Sequence, residues 1–389
     1  MYKSIFDKIT LNNGYKMPPL AICPDMKDFD TLEEWKQRHP GEVPFYDTIQ
    51  YQLELGYRHF DTGMRYGTEE VLGEFFRNSG IPREELFMTT KVYHTHHGYD
   101  NSLRYVENVL KKTGLDYIDL FLIHCPITYR GLYAETFKAL TKMYEAGVIK
   151  AVGVSNFTVQ HFYDLQEVTD IIPAVNQREQ YPLYVQNDLV AYETKHHIKS
   201  MSYGPLGRGK FARDERISWI AKKHEKTIAQ VILRWHLQKG FMVVTRSTDN
   251  ARLKENAEIF DFTLDEEDMA FMETLNRGQR NWHDPVRFPG TAFYYPVEEV
   301  MMEALKYYET RADLSAVESE KVQEKVEKAL DSKDIDGTID YVIYAFTLAE
   351  KKFERNAAIV EQAKEEQNRS QKNWCYDAWK KLGEERRYD

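Results

Sequence analysis

Hydrophobic and polar positions along this chain alternate between two periods, a short buried run of β-type residues followed by a longer stretch of helical spacing. The runs that read as strands are Leu20 to Cys23, Tyr57 to Asp61, Leu86 to Lys91, Tyr117 to His124, Ile149 to Val154, Ala174 to Glu179, Ile198 to Tyr203 and Phe241 to Arg246. Helical spacing fits between them, for example over Glu69 to Asn78, Leu103 to Lys112, Tyr133 to Ala146, Asn187 to Lys195 and Thr227 to Gln238. Ahead of the first strand, Ile9-Thr10-Leu11 and Tyr15-Lys16-Met17 flank Asn12-Asn13-Gly14, which predicts a hairpin.

Eight strand and helix pairs over roughly 240 residues match the size of a (β/α)8 barrel. An open doubly wound sheet would place a glycine-rich turn after its first strand, and no G-x-G-x-x-G occurs. The predicted fold class is therefore α/β, a (β/α)8 TIM barrel with an N-terminal hairpin and a C-terminal helical extension.

Composition narrows the function classes. With 389 residues, 42% hydrophobic and 13% aromatic, the chain is long enough for one large domain and an extra piece. Lys and Arg total 52 against 62 Asp and Glu, and the net charge of −10 gives no footing for nucleic acid or an anionic membrane. Cys23, Cys125 and Cys375 are too scattered for a disulfide framework or a metal site. No apolar run approaches the ~20 residues of a membrane span. A cytoplasmic protein that binds neither nucleic acid nor membrane is expected.

Candidate chemistry collects at the strand ends, where a barrel keeps its active site. Asp61 ends the second strand, Lys91 the third and His124 the fourth; Ser155 and Asn156 follow the fifth, and Gln177 lies late in the sixth. A buried Asp61 beside a buried Lys91 is costly unless the two pair, and their convergence in one mouth would suit a tuned acid or base.

At these residues the chain resembles the aldo-keto reductases. Asp61-Thr62 followed by Tyr66-Gly67-Thr68-Glu69 is similar to that family's D-T-x-x-x-Y-G-x-E stretch. Thr89-Thr90-Lys91, Leu115 through His124, Gly153 through Phe157, Val175-Asn176-Gln177, Tyr203 through Gly207, and Arg246-Ser247-Thr248 through Arg252 and Asn256 continue the match in order. The resemblance implies an oxidoreductase that reduces an aldehyde or ketone, or runs the reverse oxidation, with a nicotinamide cofactor. Carbonyl reduction needs hydride at carbon and a proton at oxygen. Tyr66 would be the acid, Lys91 would favour its phenolate form, Asp61 would hold Lys91, and His124 would polarise the carbonyl.

The same resemblance assigns Ser155, Asn156 and Gln177 to the nicotinamide carboxamide and Tyr203 to stacking on its ring. Leu206 lies in the loop over the pyrophosphate, and Arg246, Ser247, Arg252, Glu255 and Asn256 lie at the adenosine end. Two guanidinium groups favour NADPH, with NADH use left open. Arg65, Tyr93 and Cys125 are expected to line the pocket of a small-molecule carbonyl substrate, Arg65 attracting a substrate carboxylate or phosphate. No metal is expected; His94, His96 and His97 read as a solvated loop.

Some stretches depart from the pattern. Pro19 to Asp25 replaces a glycine-rich first strand, Met26 to Pro44 is a long charged excursion suited to a lid, and Gly204 stands where a serine is common. The resemblance gives residues 1–295 as an aldo-keto reductase-like barrel and leaves residues 296–389 as a helical extension. That extension carries 16 basic and 22 acidic side chains, six of the ten net negative charges. Val322, Val326 and Leu330, then Ile343, Phe346, Phe353, Ala357 and Val360, share helical faces there, and Trp374, Tyr376 and Trp379 are candidate anchors for a homo-oligomer. The rival reading is a cofactor-binding regulatory or scaffold subunit, as in potassium-channel β subunits, which share this fold and motif set.

Overall fold

The computed structural model describes residues 2–24, 46–211, 214–247, 249–282 and 285. The excursion at Met26 to Pro44 and the extension at 296–389, with its aromatic anchors and Cys375, lie outside the described residues.

Two short strands, β1 (Ile9–Thr10) and β2 (Lys16–Met17), pair antiparallel as the predicted hairpin. Gly14 takes φ +85° in its turn, a conformation that β-branched or bulky residues resist. Eight parallel strands follow: β3 (Leu20–Ile22), β4 (His59–Asp61), β5 (Phe87–Val92), β6 (Ile118–Ile123), β7 (Ile149–Ser155), β8 (Val175–Glu179), β9 (Lys199–Tyr203) and β10 (Met242–Thr245). They hydrogen-bond in chain order, and β10 closes on β3, so the barrel has no open edge.

The helices lie between strands: α1 (Tyr46–Glu54), α2 (Glu69–Asn78), α3 (Tyr99–Thr113), α4 (Tyr133–Glu145), α5 (Val159–Gln166), α6 (Asn187–Lys195), α7 (Glu215–Lys223), α8 (Ile228–Gln238), α9 (Asn250–Ala257) and α10 (Glu266–Glu273). Local chemistry starts several of them. Thr227 and Gln230 form a reciprocal capping box at α8, Asp265 and Asp268 do so at α10, and Asp249 accepts from the amides of Ala251 and Arg252 at α9.

Because side chains alternate along a strand, each strand feeds two cores. Phe60, Met88, Val92, Phe121, Ile123 and Val152 pack outward against the helices. Ala21, Phe87, Leu120, Leu122, Ala151, Val175, Met201, Met242 and Val244 fill the barrel. At Gly153 the interior is tightest, since a β-carbon there would lie 2.7 Å from the Val175 carbonyl oxygen.

The hairpin closes the end where the strands begin. Leu11 and Met17 join the interior cluster, Asn12 Nδ2 donates to the Pro173 carbonyl at 3.2 Å, Asn13 Nδ2 to the Lys150 carbonyl at 2.8 Å, and the Tyr15 hydroxyl to Asp119 at 2.7 Å. The opposite mouth lies at the strands' carboxyl ends.

Candidate active site

The inward side of the alternation ends, strand by strand, on polar residues. Asp61 on β4, Lys91 on β5, Ser155 on β7, Gln177 on β8 and Tyr203 on β9 share the inward parity of the apolar interior residues, and His124 continues that of Leu120 and Leu122 past the end of β6. Register aligns them further, pairing Ser155 with Gln177 across β7 and β8. The sequence-predicted strand-end residues therefore do converge.

Lys91 is fully buried, and its ammonium donates to Asp61 Oδ1 at 2.5 Å and to the Thr62 carbonyl at 2.7 Å. The other Asp61 oxygen accepts from Gln177 Nε2 at 2.6 Å. Both oxygens of a buried carboxylate are thus satisfied, which is what makes an ion pair tolerable inside the barrel. Lys91 Nζ also lies 4.8 Å from the centre of the Tyr66 ring.

Tyr66 arrives from a short turn, Met64–Tyr66, held by the Tyr66 amide on the Gly63 carbonyl at 2.9 Å. Its hydroxyl is 3.5 Å from His124 Nε2, with the two rings edge to face at 5.7 Å. The His124 backbone is fixed on both sides, its amide on the Val92 carbonyl at 3.0 Å and its carbonyl on Asn156 Nδ2 at 2.9 Å. The imidazole is held well below its ordinary range, first by burial and then by the positive charges of Lys91 and Arg65 and by His94 and His97. It is neutral at working pH.

A second group faces the same mouth. Asn156, at φ +64°, also donates to Ser155 Oγ at 3.1 Å and accepts from the Tyr203 hydroxyl at 2.7 Å. Burial, then the Glu179 carboxylate, raises the Tyr203 phenol well above its usual range, so it stays a donor. Gln177 has spent an amide hydrogen on Asp61 and keeps Oε1 as an acceptor. Ser155, Asn156 and Gln177 therefore offer the amide and hydroxyl chemistry that a carboxamide pairs with.

Farther round the rim the chemistry turns anionic in preference. Arg246 leaves β10 exposed, Ser247 follows it, and exposed Arg252 sits in the first turn of α9, 4.0 Å from the Asp249 carboxylate that caps that helix. Glu255 accepts from Thr227 Oγ1 at 2.6 Å, and Asn256 is buried beside it. Leu206 precedes the short turn Gly207–Gly209. Thr248 lies outside the described residues. This donor set suits a nicotinamide dinucleotide, with amide recognition at one end and anion recognition at the other.

Of the residues expected to line the substrate pocket, Tyr93 and Cys125 are buried and Arg65 is exposed. The histidines beyond β5 correct the expectation of a solvated loop: His94–His96 is a compact turn, and His94 and His97 are buried. Ring packing explains the difference, His94 lying 4.2 Å from Tyr93 and His96 4.9 Å from Tyr105.

Two contributors escaped the sequence reading. Buried Glu179 accepts from the amides of Asn281 at 2.5 Å and Trp282 at 3.1 Å and from the Tyr181 hydroxyl at 2.6 Å. It thereby fastens the segment after α10 across the mouth and sets Trp282 edge-on to Tyr203 at 5.3 Å. Gly204 admits the indole: at φ +60°, a β-carbon there would lie 2.9 Å from the Trp282 ring. The available signal was an acidic residue two positions beyond Gln177, on the same strand face.

A closed parallel barrel with a buried lysine and carboxylate beside a half-buried tyrosine and histidine at its carboxyl mouth, and no Rossmann fingerprint, defines a TIM-barrel oxidoreductase. Residues 35–277 match the model of the Aldo/keto reductase family, and the chain belongs to that family. It is an NAD(P)H-dependent carbonyl oxidoreductase. It is 38% identical over 285 residues to the glyoxal reductase of Bacillus subtilis, spanning 73% of this chain and 98% of that one. It is 37% identical over 289 residues to the 9,11-endoperoxide prostaglandin H2 reductase of Trypanosoma cruzi, spanning 73% and 97%. Among solved structures, a variant of Gox0644 in complex with NADPH superposes with a TM-score of 0.66 at 35% identity, over 72% of this chain and 98% of that one. An aldo-keto reductase of the silkworm Bombyx mori in complex with NADP gives 0.61 at 32%, over 70% and 94%. Among the described residues, no helix is long and apolar enough to cross a membrane.

Proposed function

We propose that this protein reduces an aldehyde or ketone with NADPH, or oxidises the corresponding alcohol, using Tyr66 as the proton donor. The observation that carries the reading is the chain of contacts from Asp61 through Lys91 to Tyr66 and His124: 2.5 Å for the ion pair, 4.8 Å from ammonium to phenol ring, and 3.5 Å from phenol to imidazole. A carbonyl oxygen placed between the phenol and His124 Nε2 meets two donors at once.

Each residue's part follows from its surroundings. A phenol is a weak acid, and a cation beside it stabilises the phenolate left after proton transfer. Lys91 supplies that charge, and Asp61 holds it in place against the cost of burial. Neutral His124 donates to the substrate oxygen, which polarises and orients the carbonyl before the proton moves. Tyr66 then gives its hydroxyl proton to the developing alkoxide and is reprotonated from solvent at the mouth.

Ser155, Asn156 and Gln177 would hold the nicotinamide carboxamide, Tyr203 would stack on the ring, and Arg246, Ser247 and Arg252 would hold the 2′-phosphate end. When bound, the cofactor supplies hydride to the carbonyl carbon. Relatives crystallised with NADPH and NADP support the cofactor assignment.

The test is a spectrophotometric assay of NADPH oxidation against a panel of aldehydes, ketones and sugars. Tyr66→Phe should lower kcat by about 10²- to 10⁴-fold with NADPH binding retained. Tight NADPH binding without turnover on any carbonyl would favour the regulatory-subunit reading instead.

A further inference from the structure

We propose that the mouth selects carbonyl compounds carrying a second, anionic group, a carboxylate or a phosphate, and that Arg65 is the residue that reads it. This specificity rests on the carbonyl reduction proposed above and adds a substrate class to it.

Position comes first. Arg65 is the middle residue of the turn that delivers Tyr66, so its Cα is one residue from that of the proton donor. The turn is closed at both ends, by the Tyr66 amide on Gly63 and the Gly67 amide on the Met64 carbonyl at 3.4 Å. Thr62, Gly63 and Thr68 around it are buried, whereas Arg65 is exposed at the rim. A long cationic side chain on a rigid turn beside the reacting oxygen is placed to meet the far end of a substrate.

The neighbouring element strengthens the case. The His94–His96 turn abuts the Arg65 turn, with Thr95 Oγ1 3.9 Å from Met64 Sδ. Tyr93 packs between His94 at 4.2 Å and His124 at 5.6 Å, so this turn forms one wall beside the catalytic imidazole. Lys91, Arg65, His94 and His97 all act on His124 in the same sense, against its protonation. The Asp61 carboxylate is occupied by Lys91 and Gln177 and turned inward. The Arg65 guanidinium beside the proton donor is a charge that a neutral aldehyde cannot use and an anionic one can. A guanidinium also matches carboxylate and phosphate geometry through paired donors.

The test uses the holoenzyme with NADPH and matched pairs: succinic semialdehyde against butanal for a carboxylate, and glyceraldehyde 3-phosphate against glyceraldehyde for a phosphate. The readout is the ratio of kcat/KM within each pair. The wild-type ratio should favour the anionic member of at least one pair, and which pair distinguishes carboxylate from phosphate. Arg65→Leu should lower that ratio by about 10- to 100-fold, and Arg65→Lys should keep most of it. Added salt should lower the wild-type ratio more than that of Arg65→Leu. Dissociation constants of succinate and succinamide for the NADPH complex, read by protein fluorescence, should show the same dependence on Arg65 without turnover.

A ratio unchanged in Arg65→Leu, or a wild-type preference for the neutral member of both pairs, overturns the proposal. Arg65 would then serve to hold its own loop. Tyr66→Phe separates the two readings, since it should lower both members of each pair alike. If it does not, the role of Tyr66 falls while the Arg65 ratio still decides the specificity.

Discussion

Gln177 Nε2 donates at 2.6 Å to Asp61 Oδ2, the carboxylate oxygen that Lys91 does not use. A residue expected to face only the cofactor therefore also completes the buried ion pair. Gln177→Leu should remove a hydrogen bond to a charged group inside the barrel and lower stability by about 1.5–3 kcal/mol. Urea unfolding at neutral pH, compared with wild type, measures it.

Asp61→Asn should be costlier, because it leaves the Lys91 ammonium buried without a counter-charge. Losing one partner of such a pair costs about 3–5 kcal/mol. Removing the charge on both sides, with Lys91→Met added to Asp61→Asn, should cost less than the sum of the single changes. A double-mutant cycle in denaturant reads that coupling, and both single variants should also lose turnover.

Imidazoles held below their ordinary range shape the pH behaviour. Burial lowers His59 to about 3 and His236 to about 4, and it is also the first cause of the lowered His124. An unfolded histidine takes a proton near pH ~6.5, so between there and the folded values the unfolded state binds more protons than the native one. Stability from these residues is complete above that range and lost as the pH falls, by about 1.4 kcal/mol per pH unit for each histidine. Denaturation at pH 7 and pH 5 should show the loss, and it should be smaller in His236→Gln. For the same reason, kcat/KM should show no limb from His124 near pH ~6.5.

Glu179→Ala should free the segment that it fastens through the amides of Asn281 and Trp282. Hydrogen exchange at residues 279–282 should quicken, the environment of Trp282 should shift in fluorescence, and the KM for the carbonyl substrate should rise.

The barrel was legible because its strands are buried on both faces and so read as nearly continuous apolar runs. Strand edges were less so. Tyr57 looks like strand, yet its amide bonds back to the Gln52 carbonyl at 3.0 Å as the exit from α1. Five helices not singled out by period, α1, α5, α7, α9 and α10, are only eight or nine residues long. At that length an amphipathic period is weak, and side-chain caps such as Asp249 and Asp265 carry the signal.

Asp61, Lys91 and His124 were legible for a different reason: ionisable residues ending apolar strands have nowhere to point but the mouth. Glu179 was obscured because its partners are backbone amides about a hundred residues away, which no local pattern encodes. The histidine turn was misread because polarity suggested solvent, while ring packing on Tyr93 and Tyr105 buried it.

The hairpin at Asn12-Asn13-Gly14 occupies the end of the barrel opposite the site, and Asn12, Asn13 and Gly14 are exposed there. It is thus a natural handle. Coupling the protein to a solid support through Lys16→Cys, at an exposed position of the same hairpin, would present every molecule mouth outward, so that a reactor bed or an electrode surface could exchange substrate and cofactor freely.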